Sequence, residues 1–338
     1  MLILTWAVAA WTHVAAAISG GDPVPFSALL FVCVSVFLLA RLTASVHWSL
    51  VPAVVVAIAA VLTLSTPDIF SPAPLSGPFG YANAKGAFFV QAAIAGLMLA
   101  SAPGPGPARV LGVTAAVAFG AVPFAAKSLT AAALILFLPG AALAAQVWIG
   151  VRVVVLSLAV VFIAALSTTI VLGSTYTGGI RSGLVDRLVD ATLTERRAAL
   201  WHEALVMMGE HPVTGVGLGG FQALSPTAQM DRDARWAHNS FLQHGAETGV
   251  LGLLLLGWLF LWGFAGLGVT KTPNVVAVLG AVAAAALGIH ASVDYVLHFP
   301  AVPITTAALV GTARGSFSRL ERLSTIVGRS AGRQEKTK

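Results

Sequence analysis

Long apolar runs alternate with short polar segments along most of the chain. An α-helix needs about 20 apolar residues to cross a bilayer, and a helix satisfies its backbone hydrogen bonds internally, as lipid requires. Runs near that length cover residues 2–18, 25–40, 49–65, 81–101, 110–126, 129–148, 153–173, 240–267, 275–297 and 300–316. The pattern predicts an all-α, polytopic transmembrane helical bundle of about ten spans.

One long polar segment, Ser174 to His238, interrupts this pattern and ends where the next apolar run begins. It gathers Arg181, Arg187, Arg196, Arg197, Arg232 and Arg235. So many cations in one loop of an apolar protein indicate an anionic ligand. The chain divides into N-terminal transmembrane helices at 1–173, the loop at 174–238, C-terminal transmembrane helices at 239–316 and a basic tail at 317–338.

Part of the polar segment has helical periodicity. Between Thr194 and Glu210, the apolar residues Trp201, Leu205 and Met208 fall on one stripe, and Thr194 is suited to cap the helix N-terminus. An amphipathic helix of this kind would lie along the membrane surface. The large loop is therefore expected to contain surface helices.

Composition agrees with a membrane protein and narrows the partners. Of the 338 residues, 57% are hydrophobic and only 9% charged, whereas soluble domains carry about 25% charged residues. The net charge is +6, but Lys and Arg fall in short loops and the tail, so they indicate orientation rather than a nucleic-acid partner. A single cysteine, Cys33, excludes disulfides and cysteine metal sites within one chain.

Basic loops predict the orientation in the membrane. With ten alternating spans, one side collects the basic tail and Arg41, Arg109, Arg152 and Lys271. Both termini are therefore expected in the cytoplasm, and the large loop outside the cytoplasmic (inner) membrane. Cleavage of the first run as a signal peptide, after Ala15-Ala16-Ala17, is an alternative that leaves the other spans unchanged, although no basic residues precede that run.

Lys85 and Lys127 fall on the outer side, against this bias. Two readings stay open for them. Either they bind the anionic ligand of the arginine-rich loop, or their amines extend to lipid headgroups.

Three motifs follow one another in the second half of the chain. The first is Arg197-Ala198-Ala199-Leu200-Trp201, and the second runs from His211-Pro212 through Gly215, Gly217 and Gly219 to Phe221. The third begins His238-Asn239-Ser240-Phe241-Leu242 and continues to Glu247-Thr248-Gly249-Val250-Leu251-Gly252. In order and spacing they resemble the O-antigen ligase and O-antigen polymerase superfamily.

Weaker resemblance extends in both directions. The segment Gly77 to Asn83 is similar to a Gly-x-Phe…Asn element of that family, and His290 to Tyr295 is similar to its late His-x-x-x-Asp-Phe segment. Lys127-Ser128 stands where the family often has Ser-Arg-Gly, so Lys127 would take the place of that arginine.

The resemblance implies a membrane glycosyltransferase that acts at the outer face of the cytoplasmic membrane. Such an enzyme takes a glycan from a polyprenyl (di)phosphate carrier and joins it to a hydroxyl of a lipid, glycan or protein acceptor. The superfamily contains ligases and polymerases, and both alternatives stay open. A flippase or transporter of the same lipid-linked glycan is the rival from another class, but its expected inverted repeats are not evident.

The residue types fit this chemistry independently. A departing sugar diphosphate needs stabilisation of negative charge, which Arg and Lys supply, and an acceptor hydroxyl needs a base suited to neutral pH, such as histidine. The loop has no compact carboxylate cluster that would hold Mg²⁺. The expected enzyme is therefore an inverting, metal-independent transferase without a cofactor.

Roles follow for the individual residues, each beside a structural alternative. His238 is the expected base, although it could merely cap the next helix. Arg197, Arg196, Lys127 and Lys85 are the expected ligands of the donor phosphates, although either arginine could be a solvated surface residue. Supporting roles are expected for Glu247, His290, Asp294, Asn83 and His211, with His211 favoured as part of a turn and His290 with Asp294 as a pair on one helical face.

A glycine motif in the same region is misleading. Gly215-x-Gly217-x-x-Gly220 satisfies the dinucleotide-binding fingerprint, but it does not follow a strand in a βαβ unit. Its glycines are expected to permit a tight turn or a close backbone approach.

Overall fold

The computed structural model describes residues 1–66, 69, 79–101, 106–176, 195–230, 235–267 and 275–315, and over these residues every regular element is helical. The helices are α1 (Leu2–Ser19), α2 (Val24–His47), α3 (Leu50–Ser65), α4 (Ala82–Ala100), α5 (Pro107–Ala125), α6 (Leu129–Ser174), α7 (Glu195–Glu210), α8 (Gly220–Leu224), α9 (Pro226–Met230), α10 (Ser240–Phe264), α11 (Val275–Val293) and α12 (301–315). A short 3-10 helix, Val296–His298, follows α11. The all-α prediction is confirmed for this part of the chain.

Seven of the described helices are long and apolar enough to cross a membrane, namely α1, α2, α4, α5, α6, α10 and α11. The apolar helix α3 is shorter, with 16 residues. In the 46-residue α6 the chain leaves helical geometry at Gly150, where φ is 80° and ψ is 161°. Its two helical parts correspond to the runs predicted at 129–148 and 153–173. The helices support a multi-pass membrane protein, while ten crossings and an external loop stay predictions.

Some expectations from the sequence fall on residues outside these ranges. They concern Thr194 as a helix cap, Lys271 as an orientation signal, Gly77 and Pro78 of the first weak motif, Arg181, Arg187 and Arg232 of the polar segment, and the basic tail at 317–338.

The described chain forms two compact units. The first consists of Met1–Val32, Ser157–Gly263 and Leu287–Pro300. Its core includes Trp201 of α7, Phe221 of α8 and Leu242 of α10, all fully buried. The buried face of α7 is centred on Ala198, Trp201 and Ala204, so only Trp201 of the predicted stripe is fully buried.

The second unit consists of Cys33–Leu156, Phe264–Ala286 and Ala301–Lys338. Within it, α4 and α5 approach closely at two glycines. A methyl group added at Gly112 would lie 2.4 Å from the backbone nitrogen of Ala100, and one at Gly96 would lie 2.6 Å from that of Ala116. Small residues at such a crossing let two membrane helices pack backbone to backbone.

The run predicted as one span at 240–267 contains a break. Gly249, inside α10, has φ 80° and ψ 179°, so the helical hydrogen-bond ladder is interrupted there. Backbone groups of the turn after α7 form hydrogen bonds with the groups left without helical partners. Val250 N donates to Pro212 O at 2.9 Å, and Val216 N donates to Ala246 O at 2.9 Å. Polar backbone groups at a helix break in a membrane protein are tolerated when the protein itself satisfies them.

The glycine motif serves this packing. A methyl group at Gly215 would lie 2.4 Å from the carbonyl carbon of Glu247, and one at Gly217 would lie 2.4 Å from Ser19 O. The turn is therefore wedged between the end of α1 and the break in α10. This supports the interpretation of its glycines as sites of close backbone approach.

Replacing Gly249 with alanine is expected to destabilise the protein by about 1–3 kcal/mol, since the backbone is left-handed there and the new methyl would lie 2.1 Å from Val213 O. Gly257→Ala, in the same helix, is the matched control. Nothing lies within 4 Å of its added methyl, so a small gain in stability is expected. Thermal unfolding in detergent compares the two, and equal melting temperatures would contradict the expectation.

Candidate functional site

Three ionisable side chains from distant positions meet in the first unit. Arg197 Nη2 lies 3.4 Å from Asp294 Oδ2, and His238 Nδ1 lies 3.3 Å from Asp294 Oδ1. The side chain of Asp294 is only 2% exposed, while those of His238 and Arg197 are 12% and 23% exposed. A buried carboxylate thus joins the expected base to the expected phosphate ligand. We call these three residues the Arg197–Asp294–His238 cluster.

The Asp294 carboxylate is held in its ionised form. Its Oδ1 accepts a hydrogen bond from the backbone nitrogen of Tyr295 at 2.7 Å. Burial alone would raise the pKa of this carboxyl, but the His238 ring and the charge of Arg197 outweigh burial and hold the pKa below its usual value. The carboxylate therefore carries a full negative charge at neutral pH.

The backbone of His238 is strained and fixed. Its φ is 47°, in the left-handed region, which costs a residue other than glycine about 1–2 kcal/mol. Its carbonyl oxygen accepts a hydrogen bond from Trp201 Nε1 at 3.2 Å. The contact of Nδ1 with Asp294 has the length of an ion pair but not the direction of a hydrogen bond. Strained backbone of this kind concentrates at functional sites.

Asn239, the next residue, has a structural role. Its side-chain oxygen accepts hydrogen bonds from the backbone nitrogens of Phe241 and Leu242, both at 3.0 Å, and so caps α10. Its amide nitrogen donates to Thr169 Oγ1 at 2.9 Å. Capping of α10 thus belongs to Asn239, which leaves the imidazole of His238 available for another function.

The cluster depends on where α11 ends. This helix stops at Val293, so Asp294 directly follows its last residue. The backbone oxygen of Asp294 accepts hydrogen bonds from Ser240 N at 3.2 Å and Ser240 Oγ at 3.0 Å. These bonds hold the segment after α11 against the start of α10.

His290 lies deeper in the same unit. It is 1% exposed, and its Nε2 has no hydrogen-bond partner in the described part of the chain. A supporting role beside Asp294 stays a prediction for this residue.

Glu247 is connected by hydrogen bonds, through Gln243, to the residue before His238. It accepts a hydrogen bond from Gln243 Nε2 at 3.3 Å, and Gln243 Oε1 accepts one from the backbone nitrogen of Ala237 at 3.1 Å. Ala237 directly precedes His238. The geometry therefore fits the expected supporting role, with Glu247 orienting the amide that fixes the chain before His238.

His211 lies in the turn that closes α7. The residue is exposed, its backbone nitrogen donates to Met207 O at 2.9 Å, and its backbone oxygen accepts from Gly215 N at 3.0 Å. These are turn contacts, and they agree with the interpretation of His211-Pro212 as a turn.

Aromatic rings lie beside His238, and the sequence interpretation missed them. The Tyr295 ring meets the His238 ring edge to face at 5.0 Å, and Trp236 stacks on Tyr295 at 5.7 Å. The His298 ring lies 4.1 Å from that of Trp236. In the sequence, Trp236 lies two residues before His238, and Tyr295 directly follows Asp294. This proximity could have indicated that the rings lie near the cluster. The rings shield one side of the imidazole from solvent.

The remaining candidates lie elsewhere. Arg196 is exposed and lines a cavity beside the first turn of α7. Asn83, Lys85 and Lys127 belong to the second unit. Lys85 is 3% exposed, unlike a lysine that extends to a lipid headgroup, and Asn83 Nδ2 donates to the hydroxyl of Tyr81 at 2.9 Å.

Lys127 occupies a position that normally favours glycine. Its φ is 55°, and it ends α5 with two hydrogen bonds, from Lys127 N to Phe124 O at 3.1 Å and from Ser128 N to Pro123 O at 3.0 Å. This pair of bonds is the Schellman motif, whose left-handed residue is usually glycine. A lysine here imposes strain, and its amine is exposed.

Replacing Lys127 with glycine is expected to stabilise the protein by up to about 1 kcal/mol and so to raise its melting temperature, because the strain is removed. Lys127→Ala loses the same amine but keeps the strain. If the amine binds the donor phosphates, both variants raise the KM for the donor equally, and only the glycine variant gains stability. Equal melting temperatures would contradict the strain argument.

Comparison with known protein families gives a match to part of the chain. Residues 108–257 match the model of the family described as O-Antigen ligase. The matched region includes Lys127, Arg197, His238 and Glu247, whereas Asp294 lies beyond it. A comparison with curated protein sequences gives no match. The family match covers residues 108–257 and, with the apolar helices, supports a multi-pass membrane protein similar to the O-antigen ligases.

Proposed function

We propose that this protein transfers a glycan from a polyprenyl (di)phosphate carrier to an acceptor hydroxyl at the outer face of the cytoplasmic membrane. The observation that carries the proposal is the Arg197–Asp294–His238 cluster, in which one buried carboxylate contacts both an imidazole and a guanidinium. Glycosyl transfer from a phosphate needs a base for the acceptor and a cation for the departing phosphate. The cluster offers one of each within a single site.

His238 is the proposed base. Its Nδ1 faces Asp294, which leaves Nε2 to take the proton from the acceptor hydroxyl. Asp294 stabilises the imidazolium that forms, as a carboxylate behind a histidine does in other catalytic sites. A positioned base of this kind is worth about 10²–10⁴ in rate.

Arg197 is the proposed ligand of the leaving group. The acceptor oxygen attacks the anomeric carbon, the bond from that carbon to the phosphate oxygen breaks, and the carrier phosphate leaves with the electron pair. Attack opposite the leaving group inverts the anomeric configuration. A guanidinium has five N–H donors, so Arg197 can contact Asp294 and still bind phosphate oxygens. Stabilisation by arginine and lysine requires no metal ion and no cofactor.

Lys127 and Lys85 stay phosphate ligands that the sequence alone predicts. The exposed amine of Lys127, kept at a strained position, supports its use in function. Arg196 is a weaker candidate for the phosphates, because it lines a separate cavity beside α7. Lipid, glycan and protein acceptors are all compatible with the site as described.

The test is product analysis with purified full-length protein, a lipid-linked glycan and an acceptor in liposomes. Mass spectrometry is expected to show a new glycosidic bond and free polyprenyl (di)phosphate. Movement of an unchanged donor across the bilayer, without a new bond, would instead identify a flippase. Addition of a whole chain to a different acceptor indicates a ligase, whereas extension of the glycan by repeat units indicates a polymerase.

The proposed face has its own test. A cysteine placed at exposed Arg235, in a Cys33→Ala background, is expected to react with a membrane-impermeant maleimide added to intact spheroplasts. Labelling only after the membrane is opened would place the polar segment in the cytoplasm and reject the proposed orientation.

A further inference from the structure

The first unit contains a cavity that the proposed reaction does not use. Its volume is about 540 Å³, and it is lined by Tyr176 at the end of α6, by Glu195, Arg196 and Ala199 of α7, and by Thr227 of α9. Ligand-binding pockets have volumes of about 300–1,000 Å³, so the cavity is large enough for a small ligand or part of a larger one.

Helix geometry separates this cavity from the Arg197–Asp294–His238 cluster. Successive residues of an α-helix are rotated by about 100°, which places Glu195, Arg196 and Ala199 within one arc of α7. Arg197 and Trp201 fall on the opposite side of the helix, where Arg197 reaches Asp294 and Trp201 holds the His238 carbonyl. The two adjacent arginines therefore serve different places, although the sequence suggests a single phosphate site for both.

The walls of the cavity are fixed by their own hydrogen bonds. Thr227 donates from Oγ1 to Glu203 Oε1 at 2.6 Å and from its backbone nitrogen to the same oxygen at 3.3 Å. The Tyr176 ring lies 6.0 Å from that of His202, and His202 Nδ1 is 3.1 Å from Gly173 O. Glu203 and His202 thus contact residues on two sides of the cavity.

The chemistry of the lining indicates the ligand. A carboxylate, a guanidinium, a threonine hydroxyl and a phenol offer both acceptors and donors, and the tyrosine ring adds an apolar face. The two charges nearly cancel, which disfavours a phosphate and favours a neutral group with many hydroxyls. A pyranose ring has this character, because its hydroxyls bind carboxylate and guanidinium groups and its C–H face packs on an aromatic ring.

We propose that this cavity is a second glycan-binding site, which holds sugars remote from the one that reacts. The inference rests on the proposed glycan transfer and adds a specificity-determining subsite to it. Both the donor glycan and a glycan acceptor have the required chemistry. A distant subsite of this kind favours longer glycans, because a single sugar bound beside His238 does not extend to the far side of α7.

The experiment fills the cavity and compares substrates of different length. Ala199→Trp places an indole in the cavity, and Val206→Trp is the control, since Val206 is an exposed residue on the same side of α7. With a many-sugar glycan, Ala199→Trp is expected to raise the KM about tenfold without changing kcat, as loss of one or two charged hydrogen bonds would do. With a single-sugar donor and acceptor it is expected to match the control. Lengthening the donor and the acceptor in separate series shows which of them occupies the cavity.

A binding measurement keeps the result independent of turnover. Free glycan, released from the lipid-linked donor by mild acid, is titrated into the purified full-length protein. Arg196→Gln, at an exposed position, is expected to weaken binding about tenfold. Equal binding by wild type, Arg196→Gln and Ala199→Trp would overturn the proposal, as would an equal rise in KM for short and long substrates. If the wild type binds the glycan but makes no new bond, glycan transfer fails as the function while the cavity proposal stands.

Discussion

His238→Gly is expected to lose transfer activity by a factor of about 10²–10⁴ and to remain as stable as the wild type or become more stable. The activity is lost because no other group in the described site is placed to take the proton from the acceptor hydroxyl while contacting Asp294. The stability is kept because residue 238 has φ 47°, a conformation that glycine adopts without the cost of about 1–2 kcal/mol borne by other residues. The hydrogen bond from Trp201 Nε1 goes to the backbone carbonyl of residue 238 and survives the change.

This combination separates catalysis from folding. His238→Asn provides a second variant, because asparagine tolerates the left-handed region but lacks a basic ring. His47→Ala, at an exposed position at the end of α2, controls for the loss of a histidine as such. Initial rates with a lipid-linked glycan and melting temperatures in detergent are the two measurements. Near wild-type rates in both His238 variants would reject the base, and a large fall in melting temperature would assign His238 a structural role instead.

The helices could be predicted because their signal is local. An apolar run of about 20 residues has few alternatives to a membrane helix, and each predicted run contains a helix in the described chain. The break at Gly249 could not be predicted in this way, since hydropathy does not report φ. Its cause is a contact between Gly249 and the turn at Pro212 and Val213, which are distant from it in the sequence.

The site could be predicted only in part. His238 and Arg197 were evident from motifs, but their common partner Asp294 is 56 and 97 positions away, and the end of α11 at Val293 decides where its carboxylate points. The sequence could have predicted that Arg196 and Arg197 point in different directions from α7, because a helical wheel puts adjacent residues about 100° apart. The wheel does not say which side of α7 is buried, and the packing of Trp201 against Phe221 and Leu242 decides that.

Arg197→Ala is expected to impair both folding and donor use, and a second substitution separates the two effects. Removal of the guanidinium leaves the carboxylate of Asp294, which is 2% exposed, with the His238 ring as its remaining neighbour in the cluster. An incompletely compensated buried charge of this kind costs about 1–3 kcal/mol. The melting temperature of Arg197→Ala should therefore fall clearly, whereas that of Arg235→Ala, at an exposed position of the same polar segment, should change little.

Adding Asp294→Asn to Arg197→Ala removes the charge that had lost its partner. The stability should recover in part, with a coupling between the two positions of about 0.5–3 kcal/mol, while the Oδ1 contact with Tyr295 N can be kept by the asparagine carbonyl. Donor use should not recover, because neither residue of the double variant can bind a phosphate. Melting temperatures of the four proteins give the coupling, and the KM for the donor is measured on the same preparations. Recovery of the donor KM together with stability would show that Arg197 serves only to neutralise Asp294, and would reject it as the phosphate ligand.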